Sequence, residues 1–182
     1  LEEDALEAIA RAQAAGKLSV RVVAHMIIWR KGNSAEELEL VKRAAELAKE
    51  YQGDWLRVGG VKIIGDGSID ACTAALSKPY TNGSSSDPIW APEALDAIIE
   101  AADAAGLQIA VHAVGDQAIR NTVDAIEKAM RVNGTSGRRH RIEHLEYARD
   151  EDIERMGKLG ITASMQPVHM DPAYLKDWLA NV

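Results

Sequence analysis

The sequence holds a single cysteine, Cys72, in 182 residues. One thiol excludes an internal disulfide framework and fits a reducing compartment, so a cytoplasmic setting is expected. Long apolar runs are missing too. No stretch approaches the roughly 20 residues of a membrane-spanning helix, and no membrane partner is expected. Basic charge is in deficit, with 21 Lys and Arg against 28 Asp and Glu and a net charge of −7. Nonspecific nucleic-acid binding needs clustered Lys and Arg, and the run Arg138-Arg139-His140-Arg141 is too short to supply it. No glycine fingerprint of a dinucleotide fold follows the first predicted strand, and no phosphate loop ending in Lys-Ser or Lys-Thr occurs. No serine stands in a Gly-x-Ser-x-Gly elbow, and Cys72 has no identifiable partner for thiol catalysis. The chain starts at Leu1 rather than methionine, and no signal-peptide pattern is visible. A processed chain or a piece of a longer one is therefore expected.

What is present is a hydrophobic content of 47%, enough for a sizeable core in one domain. Apolar residues at helical spacing predict helices over 1–16, from Ser34 to about Gly53, over 92–105, after Asp116 and over 150–159. Ser34 and Glu37 match a capping box at the start of the second. Short β-branched stretches predict strands over 18–25, 58–64, 107–113, 139–145 and 161–166. A long irregular segment, 66–92, separates the second strand from the third helix, and a loop of that length is usually functional. A Gly/Ser turn is expected at 134–137, and 167–182 shows no clear pattern. Strands alternating with helices predict an α/β fold with parallel strands. Two architectures fit: an open doubly wound sheet, or part of a TIM (β/α)8 barrel, which in full needs eight strands.

The histidines carry the most information. His112 and His144 lie near the C-terminal ends of the third and fourth strands, one βα unit apart. Successive strands of a parallel sheet lie about 5 Å apart, so the two imidazoles can converge on one ion. The competing reading is two unrelated histidines at loop edges. Strict alternation puts His140, Ile142 and His144 on one face and Arg141 and Glu143 on the other. His140 would then sit about 13 Å below His144, in a structural role, with Arg141 and Glu143 paired toward the helices. Lys62 stands inside an apolar strand, where burial lowers its pKa. A neutral amine there can take up carbon dioxide to form a metal-bridging carbamate, or its head can simply reach water at the strand edge. Asp66 shares the Lys62 face at the strand exit. His25 closes the first strand at the level of His112 and His144, and His169 stands at a pocket rim after the fifth strand, where it can touch substrate.

Taken in order, Gly60-Val-Lys-Ile-Ile-Gly-Asp-Gly-Ser68, Thr73-Ala-Ala-Leu76 through Pro79-Tyr80, Gly106 to Asp116, His140-Arg-Ile-Glu-His144 and Leu159 to Pro167 resemble the metal-dependent amidohydrolase superfamily. The resemblance is to amidohydrolase family 3, in the branch that looks like N-substituted formamide deformylase. It implies a partial (β/α)8 barrel whose five strands are the family's third to seventh. It also implies metal at the C-terminal face. Lys62, carboxylated, His112 and His144 would be its ligands and the catalytic set, with Asp66, Asp116, Glu143 and His169 as supporting or substrate-contacting groups. One or two divalent ions, zinc first, would serve hydrolysis of a C–N bond in a small-molecule substrate. No His-x-His pair occurs in the sequence, and no aspartate closes a further strand, so the remaining ligands and the general base are expected outside it. Two rival expectations stand beside this one. The chain could be an inactive piece that forms a homo-oligomer through open sheet edges, or an open-sheet small-molecule binding domain.

Overall fold

Five stretches, all but the fourth rich in β-branched and small residues, form one sheet: β1 Val22–Ile28, β2 Leu56–Ile64, β3 Gln108–Ala113, β4 Arg141–His144 and β5 Thr162–Ser164. Around them run α1 Glu3–Ala14, α2 Ser34–Glu50, α3 Pro92–Ala104, α4 Asp116–Asn133, α5 Asp150–Leu159 and α6 Pro172–Asn181, with a 3-10 turn at Pro167–Met170. The computed structural model describes residues 1–135, 137 and 139–182, without the side chains of Tyr174 and Asp177. The expected 134–137 turn and the basic run at 138–141 thus lie partly outside the described residues.

All four strand pairings are parallel, and the spatial order is the chain order. A doubly wound sheet reverses its strand order at a switch point. This sheet does not, and it is the arc of a (β/α)8 barrel. Helices α2 to α5 pack each against the next along one side of the sheet. Ile63, Val111 and Ile142 project to that side, are fully buried, and join Ile98, Ile99, Ile119 and Ile126 in one apolar cluster. The other, concave side carries half-buried Lys62, Gln108, His112, Arg141 and Glu143. No helix among the described residues is long and apolar enough to cross a membrane.

Two local expectations change. β1 begins at Val22 rather than Leu18 and runs on through Ile28, because Met26 to Ile28 pair with Val61 to Ile63. At α2 the cap is Asn33, whose side chain accepts from Ala35 N at 3.0 Å. Glu37 instead folds back, buried, to accept from Lys31 N at 2.8 Å, Gly32 N at 2.9 Å and the Arg30 guanidinium. Burial opposes its charge, but these donors outweigh burial and hold the carboxyl below the ordinary glutamate range. Its stabilising contribution is therefore present above the unfolded-state value and lost as pH falls through the lowered folded one. Glu37→Gln is expected to lower stability by about 2 kcal/mol at pH 7. In urea titrations the gap from wild type should narrow below about pH 4; a gap independent of pH would refute the charge argument.

Between β2 and α3 no helix or strand forms. The segment is nonetheless well anchored. Tyr80, buried, donates its hydroxyl to Ala74 O at 2.8 Å, and buried Trp90 donates its Nε1 to Ile64 O at 3.0 Å.

Candidate metal centre

Parallel register decides which side chains meet. Ile64, His112 and Glu143 stand side by side, as do Lys62, Ala110 and Arg141 two residues earlier. Residues paired this way face the same side, so Lys62, His112 and Glu143 share the concave face. This reverses the faces expected for the fourth strand. Arg141 and Glu143 point inward, and Ile142 points to the helices. His140 belongs to the helix side, 3% exposed, with Nε2 3.0 Å from Asp103 Oδ1 of α3 and Nδ1 accepting from Ile109 N at 3.1 Å.

His144 pairs with buried Ala113 and would by alternation face the helices as well. It does not, because its φ is +79° and that of Leu145 is +58°. Two successive left-handed residues with side chains each cost about 1–3 kcal/mol and persist only where the surroundings enforce them. Here Leu145 N donates to Ala113 O at 3.1 Å and Tyr147 N to Val114 O at 2.9 Å. The twist swings the His144 ring to the C-terminal rim of the concave face. Its centroid lies 4.5 Å from that of His112, edge-on, and 5.4 Å from that of His169, with the planes 5° apart.

The neighbours of each group set its protonation. Lys62 Nζ donates to Glu143 Oε2, while Glu143 Oε1 accepts from Arg141 Nε at 3.0 Å. Burial, and then the charge of Arg141, push the Lys62 amine down to about 8. His112 Nε2 lies 2.9 Å from Gly67 O and 3.5 Å from Asp66 Oδ1. Asp66 is 1% exposed and accepts from Val114 N, Gly115 N and Ala75 N at 2.8–3.0 Å. Burial pushes its carboxyl up, against the pull of those three donors and of His112. Burial, and then the charges of His112, Lys62 and His169, push His144 down to about 4. Gln166 lies near enough to favour the charged ring, more than Lys62 or His169 disfavours it, yet outside hydrogen-bond geometry, and His144 Nδ1 and Gln166 Oε1 are both buried with no hydrogen-bond partner. A buried ring nitrogen on a neutral imidazole, unpartnered and beside a second imidazole, fits a metal ligand.

Three other residues stand differently. His25 is not level with His112. It pairs with Gly60, four residues before the Ile64 that flanks His112, after a register shift between Ala24 and His25. There His25 Nε2 lies 2.9 Å from Gln108 Oε1. Asp116 opens α4 and accepts from Ser77 N at 2.8 Å, Ser77 Oγ at 2.6 Å and Arg149 Nε at 2.8 Å. It ties the 66–92 segment to the start of α4; burial opposes its charge, but Ser77 and Arg149 prevail and hold the carboxyl below the usual range. Glu146, which sequence reasoning missed, shares a hydrogen bond with His169 Nδ1. Among the described residues, donor atoms of His144, Glu146 and His169 all lie within 4.8 Å of one another. Glu146 and His169 also line a cavity of about 270 Å³ with Ser68, Asp70, Val168 and Trp178.

Residues 1–181 match the amidohydrolase family. The chain belongs to it. This amidohydrolase chain is 39% identical over 119 residues to the protein LONG AFTER FAR-RED 3 of Arabidopsis thaliana, which covers 64% of the chain and 20% of that protein. It is 32% identical over 164 residues to YtcJ of Bacillus subtilis, covering 89% of the chain and 28% of that relative. The chain thus spans between a fifth and a third of the length of these curated relatives. Its structure matches uncharacterized metal-dependent hydrolases of Pyrococcus furiosus and Pyrococcus horikoshii OT3 with TM-scores of 0.79 and 0.78. Both are 33% identical, and the whole amidohydrolase chain aligns with 35% and 34% of those chains.

Proposed function

We propose that this chain carries part of the active site of a metal-dependent hydrolase that cleaves a C–N bond in a small amide or formamide-like molecule. The observation that carries the reading is the approach of the His112 and His144 rings to 4.5 Å at the C-terminal rim of the sheet. Lys62 lies on the same face below them. Family membership and two metal-dependent hydrolases of matching structure support it. His112, His144 and carboxylated Lys62 would hold a divalent ion, zinc first among the candidates. Such an ion, when bound, lowers the pKa of a water and polarises a carbonyl.

The chain's own residues prepare that site. The neutral amine of Lys62 adds through its lone pair to the carbon of CO2, one C=O electron pair moves onto oxygen, and the nitrogen loses a proton. Glu143, already accepting from that nitrogen, is placed to receive it. The His144 ring is held neutral, so its lone pair is available to a cation without prior deprotonation. Asp66 fixes the peptide groups of Ala75, Val114 and Gly115 around the His112 side of the rim. The cavity beside Glu146 and His169 is of a size for a small substrate.

Carbon-13 NMR of the chain in labelled bicarbonate with zinc tests the ligand set. A carbamate signal that grows as zinc is added is expected, and Lys62→Arg should abolish it. Absence of a zinc-dependent carbamate signal in the wild type would remove the reading. In the complete polypeptide containing this segment, His112→Ala should lower amine release from N-formyl amines by about 10³-fold, the loss of several kcal/mol of transition-state stabilisation.

A further inference from the structure

The end of β4, the loop after it and the 3-10 turn after β5 meet at three potential ligands, only one of which belongs to the set just described. We propose that His144, Glu146 and His169 form a three-donor site for a transition-metal cation whose occupancy does not depend on Lys62 or His112. Their donor atoms lie within 4.8 Å of one another. Ligands of a tetrahedral zinc ion at 2.0–2.2 Å are about 3.4 Å apart, so small side-chain rotations close the cage. Two imidazoles and one carboxylate are a zinc-binding composition that leaves a fourth position open. The cavity of about 270 Å³ reaches Glu146 and His169 directly, so that position opens to water or to a small oxygen or nitrogen donor.

Three features set this group apart from a surface ion pair. The Glu146 side chain is only 12% exposed, so its carboxylate is largely withdrawn from water. The His144 Nδ1 atom is buried without a partner. The backbone holds two consecutive left-handed residues, His144 and Leu145, and that turn is what carries the His144 ring away from the helix side and into parallel stacking with His169. A cation entering the cage would stand in place of the hydrogen bond between Glu146 and His169. The inference rests on the reading above in one respect: His144 belongs to both ligand sets, and the two compete for it.

The test uses the chain stripped of metal in CO2-free buffer, where Lys62 cannot be carboxylated. Titration with Co2+, followed by visible absorption, and with Zn2+, followed by calorimetry, should show one ion per chain. His169→Ala and Glu146→Gln should each weaken binding by about 10²-fold, at the upper end of the losses seen even for residues behind the ligands. His112→Ala and Lys62→Met should leave it within about threefold. His169→Gln stands in if His169→Ala unfolds the turn, with circular dichroism confirming the fold of each variant. No binding by the wild type, or binding indifferent to Glu146 and His169, overturns the site. Binding lost in His112→Ala instead overturns it while favouring the ligand set proposed above. The bicarbonate experiment judges that other set independently.

Discussion

Gly115→Ala is expected to lower folding stability by about 3–5 kcal/mol. Gly115 precedes α4 with an ordinary extended φ of −78°, so backbone strain is not the reason for glycine there. Space is. A Cβ at this position would lie 2.2 Å from Ala75 O, 2.5 Å from Ala75 C and 2.8 Å from Ala75 N. All three atoms are backbone and cannot rotate aside. To admit the methyl group, the 66–92 segment must move off the start of α4. That movement breaks the bond from Gln117 N to Ala75 O at 3.0 Å and disturbs the one from Gly115 N to Asp66. Overpacking of this kind costs about 1–3 kcal/mol, and each broken hydrogen bond adds about 0.5–1.5. Urea denaturation measures the sum, and a loss below about 1 kcal/mol would show that the segment yields freely.

Asp66→Ala should cost a similar amount, about 3–5 kcal/mol, by a different route. Its two oxygens accept three backbone N–H groups, from Val114, Gly115 and Ala75. Each donor left buried without a partner costs about 1–3 kcal/mol, less what water recovers. Asn recovers part of this. With its oxygen in the place of Oδ2 it still accepts from Gly115 N and Ala75 N, and its NH2, in the place of Oδ1, is set against one donor, Val114 N. Asp66→Asn should therefore cost less than Asp66→Ala, about 1–3 kcal/mol for the one unpaired donor. Equal losses for the two variants would show that the charge, rather than the number of acceptors, holds the junction. Combined with Gly115→Ala the losses should be well short of additive, because both act on one junction.

Much of the architecture is legible in the residues. Helical and β-branched stretches alternate along the chain, and the fifth helix spans the expected 150–159. That alternation left two sheet types open, which the strand order then separated. The site is harder to read. Period-two alternation presumes extended backbone throughout, and His144 leaves it at the last residue of β4. A single positive φ thus reversed the predicted faces of Arg141, Glu143 and His140. No sequence feature announces that φ: His is enriched in a conformation that few residues other than glycine adopt, but its presence alone does not fix it, and Leu145, which follows in the same conformation, is not a residue that favours it. His25 was set too high because the register shift beside it cannot be seen from one strand alone. Glu146 stayed hidden for a related reason: it follows the second left-handed residue, where strand and helix periodicities both fail. The last helix is different, because its signal was present. Asp171 caps α6 by accepting from Ala173 N at 2.9 Å, with Pro172 at the first helical position. Asp-Pro is a helix-start signature that needed no structure to recognise.

The uninterrupted strand order bears on how the chain comes to be folded. Every strand pairs only with its neighbours in the sequence, the edge strands β1 and β5 with one each, and each of α2 to α5 rests on its sequence neighbour. A ribosome releases such a chain in an order that suits it: each newly emerged unit finds its docking surface already built by the unit ahead of it. Closure entropy is then met in small instalments rather than one long-range step. Assembly resembles zipping in a repeat protein more than collapse around a distant partner, and the imidazole rim, drawn from β3 and β4 and the turn after β5, would take shape only after β1 and β2 have paired.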